Sequence, residues 1–131
     1  MVVDGVSFPK LGEKSVGVAR QWCGRLEKVE NCQVRVFLGL ATPEGDRTLI
    51  DERLYLPEGW VEDKERKKEA GVPEDVEFRT KPELALDMIL KAKENGVAFG
   101  WKYLNNYGGG FSERLVKIYF SLCQILLLVL N

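Results

Sequence analysis

The sequence contains no histidine, and this absence excludes several kinds of site. Zinc sites built on imidazole, Ser-His-Asp triads and Cys-His nucleophiles all need that side chain. Any catalytic chemistry of this chain would therefore depend on carboxylates.

The net charge is close to zero, and cysteines are few. Lys and Arg number 19 against 20 Asp and Glu, a net charge of −1, so any affinity for DNA must arise locally. The three cysteines, Cys23, Cys32 and Cys123, are far apart and odd in number, which favours neither a disulfide framework nor a zinc site. A reducing cytosol suits them best, and we expect a cytoplasmic protein.

No apolar run reaches the roughly 20 residues that span a bilayer. Residues 118–130 are apolar except for Ser121 and Gln124, which suits a buried helix or a sticky tail better than an anchor. The beginning of the chain does not resemble a secretory signal either, because Asp4 interrupts its apolar start. With 131 residues, 45% of them hydrophobic, the chain is expected to form one globular domain.

Strand-like patterns dominate the first half of the sequence. Apolar and β-branched residues mark the segments 2–8, 16–20, 33–40 and 47–56, and we expect three antiparallel strands in succession. Residues 57–80 are charge-dense and contain Pro and Gly, which indicates a surface excursion with one short helix over 62–70.

The clearest element is a helix that begins at Thr80. Thr80 as N-cap, Pro82 in the first turn and Glu83 at the third position form a capping-box pattern, and Asn95-Gly96 ends the helix. A strand over 97–104 and a glycine-rich loop follow. The order β-β-β-α-β, with the last strand parallel to the first, predicts an α/β fold with a mixed sheet of the ribonuclease H-like type.

Several separated blocks carry a family resemblance. They are SVGVARQWCG at 15–24, ENCQV at 30–34, RLYLPE at 53–58, AGVP at 70–73 and TKPELA at 80–85. In this order and approximate spacing the chain resembles the DDE-type insertion-sequence transposases over about residues 3–103. The resemblance implies a partial, truncated catalytic domain over 1–110, and residues 111–131 are expected to be a divergent apolar tail.

The resemblance also implies a metal-dependent reaction on DNA. Members cleave and transfer DNA strands at transposon ends with Mg²⁺ held by acidic residues. Asp4, before Phe8-Pro9-Lys10, occupies the first acidic position, and counting four residues from Trp101 places Asn105 at the second. The third acid is a glutamate on a downstream helix, and nothing marks Glu113 as its substitute.

Asn105 offers a neutral carbonyl oxygen in place of a carboxylate, so we expect the chain to bind no productive metal pair, to hold DNA weakly or not at all, and not to cleave DNA. Two alternatives remain open. The chain could be a non-catalytic module that associates with a full-length transposase through residues 122–130, or a relic without a role.

Two other features favour ordinary structural explanations. The run Lys64–Lys68 is interleaved with acids, which is typical of a solvated helix face rather than a DNA contact. The aromatic residues in strand-like segments are expected to be core residues rather than base-stacking platforms. These residues are Trp22, Phe37, Trp60, Phe99 and Trp101.

Overall fold

A computed structural model describes residues 1–42 and 44–98 of the chain. Four strands come first and three helices follow. The strands are β1 (Val2–Pro9), β2 (Ala19–Cys23), β3 (Lys28–Ala41) and β4 (Arg47–Tyr55). The helices are α1 (Glu58–Glu62), α2 (Lys64–Glu69) and α3 (Lys81–Glu94).

The long strand β3 is the centre of a four-stranded sheet. Strand β1 pairs with one of its edges, so that Cys32 lies opposite Pro9. Strands β2 and β4 follow one another along the other edge, where Ala19 lies opposite Cys32 and Tyr55 opposite Val34. Every pairing between described residues is antiparallel.

Helix α3 covers one face of the sheet. Because alternate strand residues point to the same face, Val36 and Leu38 of β3 both meet the helix. The buried residues of this core are Val3, Val36, Leu38, Ala85, Met88 and Ala92. The small side chains of Ala85 and Ala92 let the helix lie close to the sheet, with Met88 between them.

The predicted capping box at the start of α3 is confirmed. The Thr80 hydroxyl accepts a hydrogen bond from the Glu83 amide at 3.4 Å, and the Glu83 carboxylate accepts one from the Thr80 amide at 2.7 Å. Two amides that have no partner inside the helix are thereby satisfied. Asn95 is the C-cap, as the sequence indicated.

This capping box should make stability depend on pH. Hydrogen bonds from the Thr80 side chain and backbone hold the pKa of Glu83 below its ordinary value of 4.5. A carboxyl group whose pKa is lowered by folding stabilises the folded state above its unfolded pKa, and this contribution is lost as the pH falls through the folded pKa. We expect the Tm of the wild type to fall more steeply than that of Glu83→Gln between about pH 6 and pH 3. Thermal scans at several pH values measure this, with Glu94→Gln as the control. The prediction is contradicted if Tm falls equally steeply with pH in the wild type and in Glu83→Gln.

Strand β2 begins later than the sequence pattern predicted. Residues 16–20 were expected to be a strand, but the Val18 amide donates to the Ser15 carbonyl at 3.1 Å and forms a turn there. Gly17 has φ +77, and a Cβ atom on it would lie 2.9 Å from the Tyr55 carbonyl oxygen. The close approach of β4 therefore requires glycine at a position that sequence alternation assigned to a strand.

The count of elements also differs from expectation. The α/β class is confirmed, but four strands precede the helices where three were expected. The short helix expected over 62–70 is confirmed as α2, whose N-cap Asp63 is extended and accepts a hydrogen bond from the Arg66 amide. Helix α1 comes before it and was not expected. Of the strand predicted at 97–104, only residues 97 and 98 are described; they form no strand, and the Val97 amide donates to the Ala92 carbonyl at 3.0 Å. The rest of that segment, its predicted parallel pairing with β1 and the glycine-rich loop lie outside the described residues.

None of the helices in residues 1–42 and 44–98 has the length and apolar content needed to cross a membrane. The apolar segment 118–130 lies outside the described residues.

Candidate functional site

Asp4 lies on β1, and its side chain is exposed. Its neighbour Val3 is buried beneath α3, so the alternation of the strand turns Asp4 to the opposite face of the sheet. The ion pairs formed within the described residues do not involve Asp4. Its carboxylate is thus open to solvent on the face that α3 leaves uncovered.

A second carboxylate lies on the same row of the sheet. Asp4 is opposite Phe37, and Phe37 is opposite Glu52. Neighbouring strands are about 4.8 Å apart, so Asp4 and Glu52 are separated by about twice that distance, with an aromatic ring between them. Both oxygens of Glu52 accept from Arg35 Nη1 at 2.8 Å. Glu52 is therefore already neutralised by a cation.

These carboxylates can be compared with the metal pair that the sequence resemblance implies. Two Mg²⁺ ions about 4 Å apart need several anionic oxygens converging on them. Among the described residues no group of three acidic or thiol side chains is placed to hold a metal ion. Asp4 supplies one carboxylate and Glu52 is held by Arg35, so this part of the chain does not by itself fit a metal pair.

The other predicted site residue, Asn105, lies outside the described residues, as do Trp101 and Glu113. The structure therefore brings Asp4 to an accessible position on the sheet without testing its distance from Asn105. The assignment of both residues to acidic positions stays a prediction.

A second cluster of polar groups lies around Trp60 on α1. The side chain is 1% exposed, and its Nε1 donates to the Val18 carbonyl at 2.7 Å. The Arg66 guanidinium lies 3.8 Å from the centre of the indole ring. Arg66 Nη2 also donates to the carbonyls of Glu13 and Val18, at 2.8 Å and 3.2 Å. Helices α1 and α2 are thereby joined to the loop between β1 and β2.

The prediction that Lys64–Lys68 is a solvated helix face is wrong for two of its residues. Arg66 stacks on Trp60, and Lys67 is only 5% exposed. Lys67 Nζ donates to the carbonyls of Glu74 and Val76, both at 3.0 Å. A buried ammonium needs such acceptors, and here it holds the segment after α2 against the helix. Lys64 and Lys68 are exposed, as predicted.

The prediction that the aromatic residues are core residues holds for only some of them. Trp60 is a core residue, as expected, and Phe37 is half-buried. Trp22 on β2 is 46% exposed, so the core prediction is wrong for it. Phe99 and Trp101 lie outside the described residues.

Cys23 and Cys32 are both buried. They pack with Val34 and Tyr55 on the face of the sheet that α3 partly covers. Burial, together with the neighbouring Cys23, raises the pKa of Cys32 to about 11. A thiol with so high a pKa is protonated at neutral pH, so Cys32 is not a reactive nucleophile.

The sequence pattern predicted a buried Trp60 but did not indicate that Arg66 stacks on it. Arg66 is separated from Trp60 by six positions across two helices, a spacing that matches no single-helix contact rule. The burial of Trp60 could be predicted, since so large an apolar side chain is seldom left in solvent, but its partner could not.

Comparison with known proteins supports the resemblance noted in the sequence. The family model described as DDE superfamily endonuclease matches residues 1–114. No curated protein and no solved structure gives a significant match. The matched range includes the whole sheet, Asp4, the three helices and Asn105. The chain therefore belongs to the DDE superfamily endonucleases.

Proposed function

We propose that this chain is part of a DDE-type transposase catalytic domain that does not cleave or join DNA by itself. Its family acts on DNA with divalent metal ions. The observation that carries the proposal is the donor set: Asp4 is an exposed carboxylate on β1, and the residue at the expected second acidic position is the neutral Asn105.

The chemistry of the substitution supports this proposal. A carboxylate attracts a dication directly, whereas an amide offers only a carbonyl dipole. Mg²⁺ gives up its water reluctantly and needs that attraction. With Asn105 in place of an aspartate and Glu52 bound to Arg35, the donors proposed for this site carry too little negative charge for two ions.

The catalytic proposal is tested with a nicking assay on supercoiled DNA. We expect no Mg²⁺-dependent nicking by the purified 131-residue chain, and the same background from Asp4→Ala. Nicking by the wild type that disappears in Asp4→Ala would show that Asp4 belongs to a working metal site, and the proposal would fail.

Restoring the charge at position 105 should restore metal binding if Asp4 and Asn105 share a site. We expect Asn105→Asp to bind Mn²⁺ at least about tenfold more tightly than the wild type, equivalent to about 1.4 kcal/mol. Titration calorimetry or paramagnetic relaxation measures this directly. Asn106→Asp is the matched control, because it adds the same charge one residue away, and an equal gain in both variants would show that the position is unimportant.

A second candidate function is that of a non-catalytic module that binds a full-length transposase. The exposed apolar residues of the β2–β3 hairpin favour it: Trp22 lies opposite Val29 across the hairpin, and Leu26 is exposed in its turn. Circular dichroism and size-exclusion chromatography separate this candidate from a relic, since a module should unfold cooperatively and form a defined species. Broad aggregation would favour a relic.

A cytoplasmic location and a boundary near residue 110 between the domain and an apolar tail belong to the same proposal. They follow from the sequence pattern and from the kind of reaction that the family carries out.

A further inference from the structure

A groove of about 800 Å³ lies between the loop after β1, the beginning of β2 and the helices α1 and α2. It is separate from Asp4, which is not among its lining residues. The lining combines an aromatic floor with basic side chains, and it includes Lys14, Val18, Arg20, Asn31, Trp60 and Arg66.

The floor of the groove is fixed by interactions inside the protein. Trp60 is held by its bond to the Val18 carbonyl, and Arg66 is held against the indole and by two carbonyl acceptors. Asn31 Nδ2 donates to the carbonyls of Lys10 and Gly12, which positions the loop that carries Lys14. A guanidinium fixed in this way loses little conformational freedom when it binds a ligand.

The basic side chains of the groove form no ion pair within 4 Å among the described residues. In that part of the chain, the ion pairs formed by lysine and arginine involve Lys28, Arg35, Arg53 and Arg79. Lys14, Arg20 and Arg66 are therefore three cations without a carboxylate from residues 1–42 or 44–98 within 4 Å, all lining one concave surface. Both Lys14 and Arg20 are exposed.

We propose that this groove binds the phosphodiester backbone of DNA. The net charge of −1 provides no general attraction for nucleic acid, so binding requires a local concentration of cations. The groove brings three cations to one concave surface, where they outnumber its two carboxylates, and an arginine stacked on an aromatic ring is well suited to phosphate. Contacts of this kind position a duplex without reading its sequence.

Two carboxylates on the groove limit its affinity. Glu13 and Glu69 also line it, so the net charge of its ionised side chains is 3 − 2 = +1. The proposal therefore predicts moderate, salt-sensitive binding, and it predicts that removing one of these carboxylates strengthens binding. Because backbone contacts need no metal ion, the groove can bind DNA whether or not the chain cleaves it.

The test measures binding of a fluorescently labelled duplex by anisotropy at low salt, with the full chain. We expect Lys14→Gln and Arg20→Gln each to weaken binding about three- to tenfold and to reduce the slope of log K against log salt by about 0.9 for each phosphate that the variant no longer neutralises. Glu69→Gln should strengthen binding by a similar factor. Lys93→Gln, which removes an exposed cation of α3 outside the groove, should change the affinity by less than about twofold.

Several outcomes would overturn this proposal. One is a lack of duplex binding at low salt, and another is an equal loss of affinity in Lys93→Gln and Arg20→Gln. A third is inorganic phosphate at low millimolar concentration displacing the duplex completely, which would identify a site for the free anion. Failure here leaves the nicking assay unaffected, because that assay depends on Asp4 and not on these cations.

Discussion

Replacing Trp60 by alanine is expected to lower the free energy of unfolding by about 3–5 kcal/mol. The side chain is 1% exposed, so nearly all of its apolar surface is removed from water on folding. It also donates to the Val18 carbonyl and supports the Arg66 guanidinium. Alanine would leave a large cavity between α1 and the loop before β2, and it would remove the stacking surface of Arg66.

The effect is measured by urea unfolding followed by circular dichroism. Trp60→Phe keeps most of the packing and loses the indole donor, so it should cost clearly less than Trp60→Ala. Trp22→Ala serves as the matched control, because Trp22 is 46% exposed and should change stability by less than about 1 kcal/mol. A similar loss in Trp22→Ala and Trp60→Ala would show that the contacts around α1 do not stabilise the fold.

Leu38→Ala is expected to destabilise the protein by about 2–5 kcal/mol. Leu38 is fully buried at the centre of the cluster between β3 and α3, where Val3 lies opposite it on β1. A domain of this size has about 5–15 kcal/mol of stability in total, so this single change could leave a large unfolded fraction at physiological temperature.

Leu49→Ala provides the comparison, since it makes the same chemical change on the neighbouring strand. Leu49 is 70% exposed, and its truncation should alter stability by no more than about 0.5 kcal/mol. Thermal and urea unfolding of both variants measure the difference. Equal effects would mean that the cluster beneath α3 is not the core of the protein.

Elements that depend on local sequence signals were predicted correctly, and the beginning of β2 was not. Helix α3 was predicted with its cap and its end, because Thr80, Glu83 and Asn95-Gly96 are local signals that act within a few residues. Strands β1 and β4 were placed nearly as observed, because alternation along a strand is also local. The beginning of β2 was not, since it depends on how closely Tyr55 approaches Gly17.

The same division applies to the site. The assignment of Asp4 and Asn105 to acidic positions, and the proposed shortage of carboxylates for a metal ion, rest on the sequence. The accessibility of Asp4 and the pairing of Glu52 with Arg35 depend on the register of three strands. Register is a long-range property, and residues far apart in sequence determine it.

By itself the sequence determined the family and the local starts and ends of the main elements, because both follow from residue identity and short spacing. Tertiary structure alone decided that Lys67 is buried, that Arg66 stacks on Trp60, and that Lys14, Arg20 and Arg66 line one groove. The physical reason is that burial and charge pairing depend on three-dimensional neighbours. Along the chain, Arg66 and Lys67 are simply two cations in a charged run, and packing against Trp60 and the carbonyls of Glu74 and Val76 gives each a separate role.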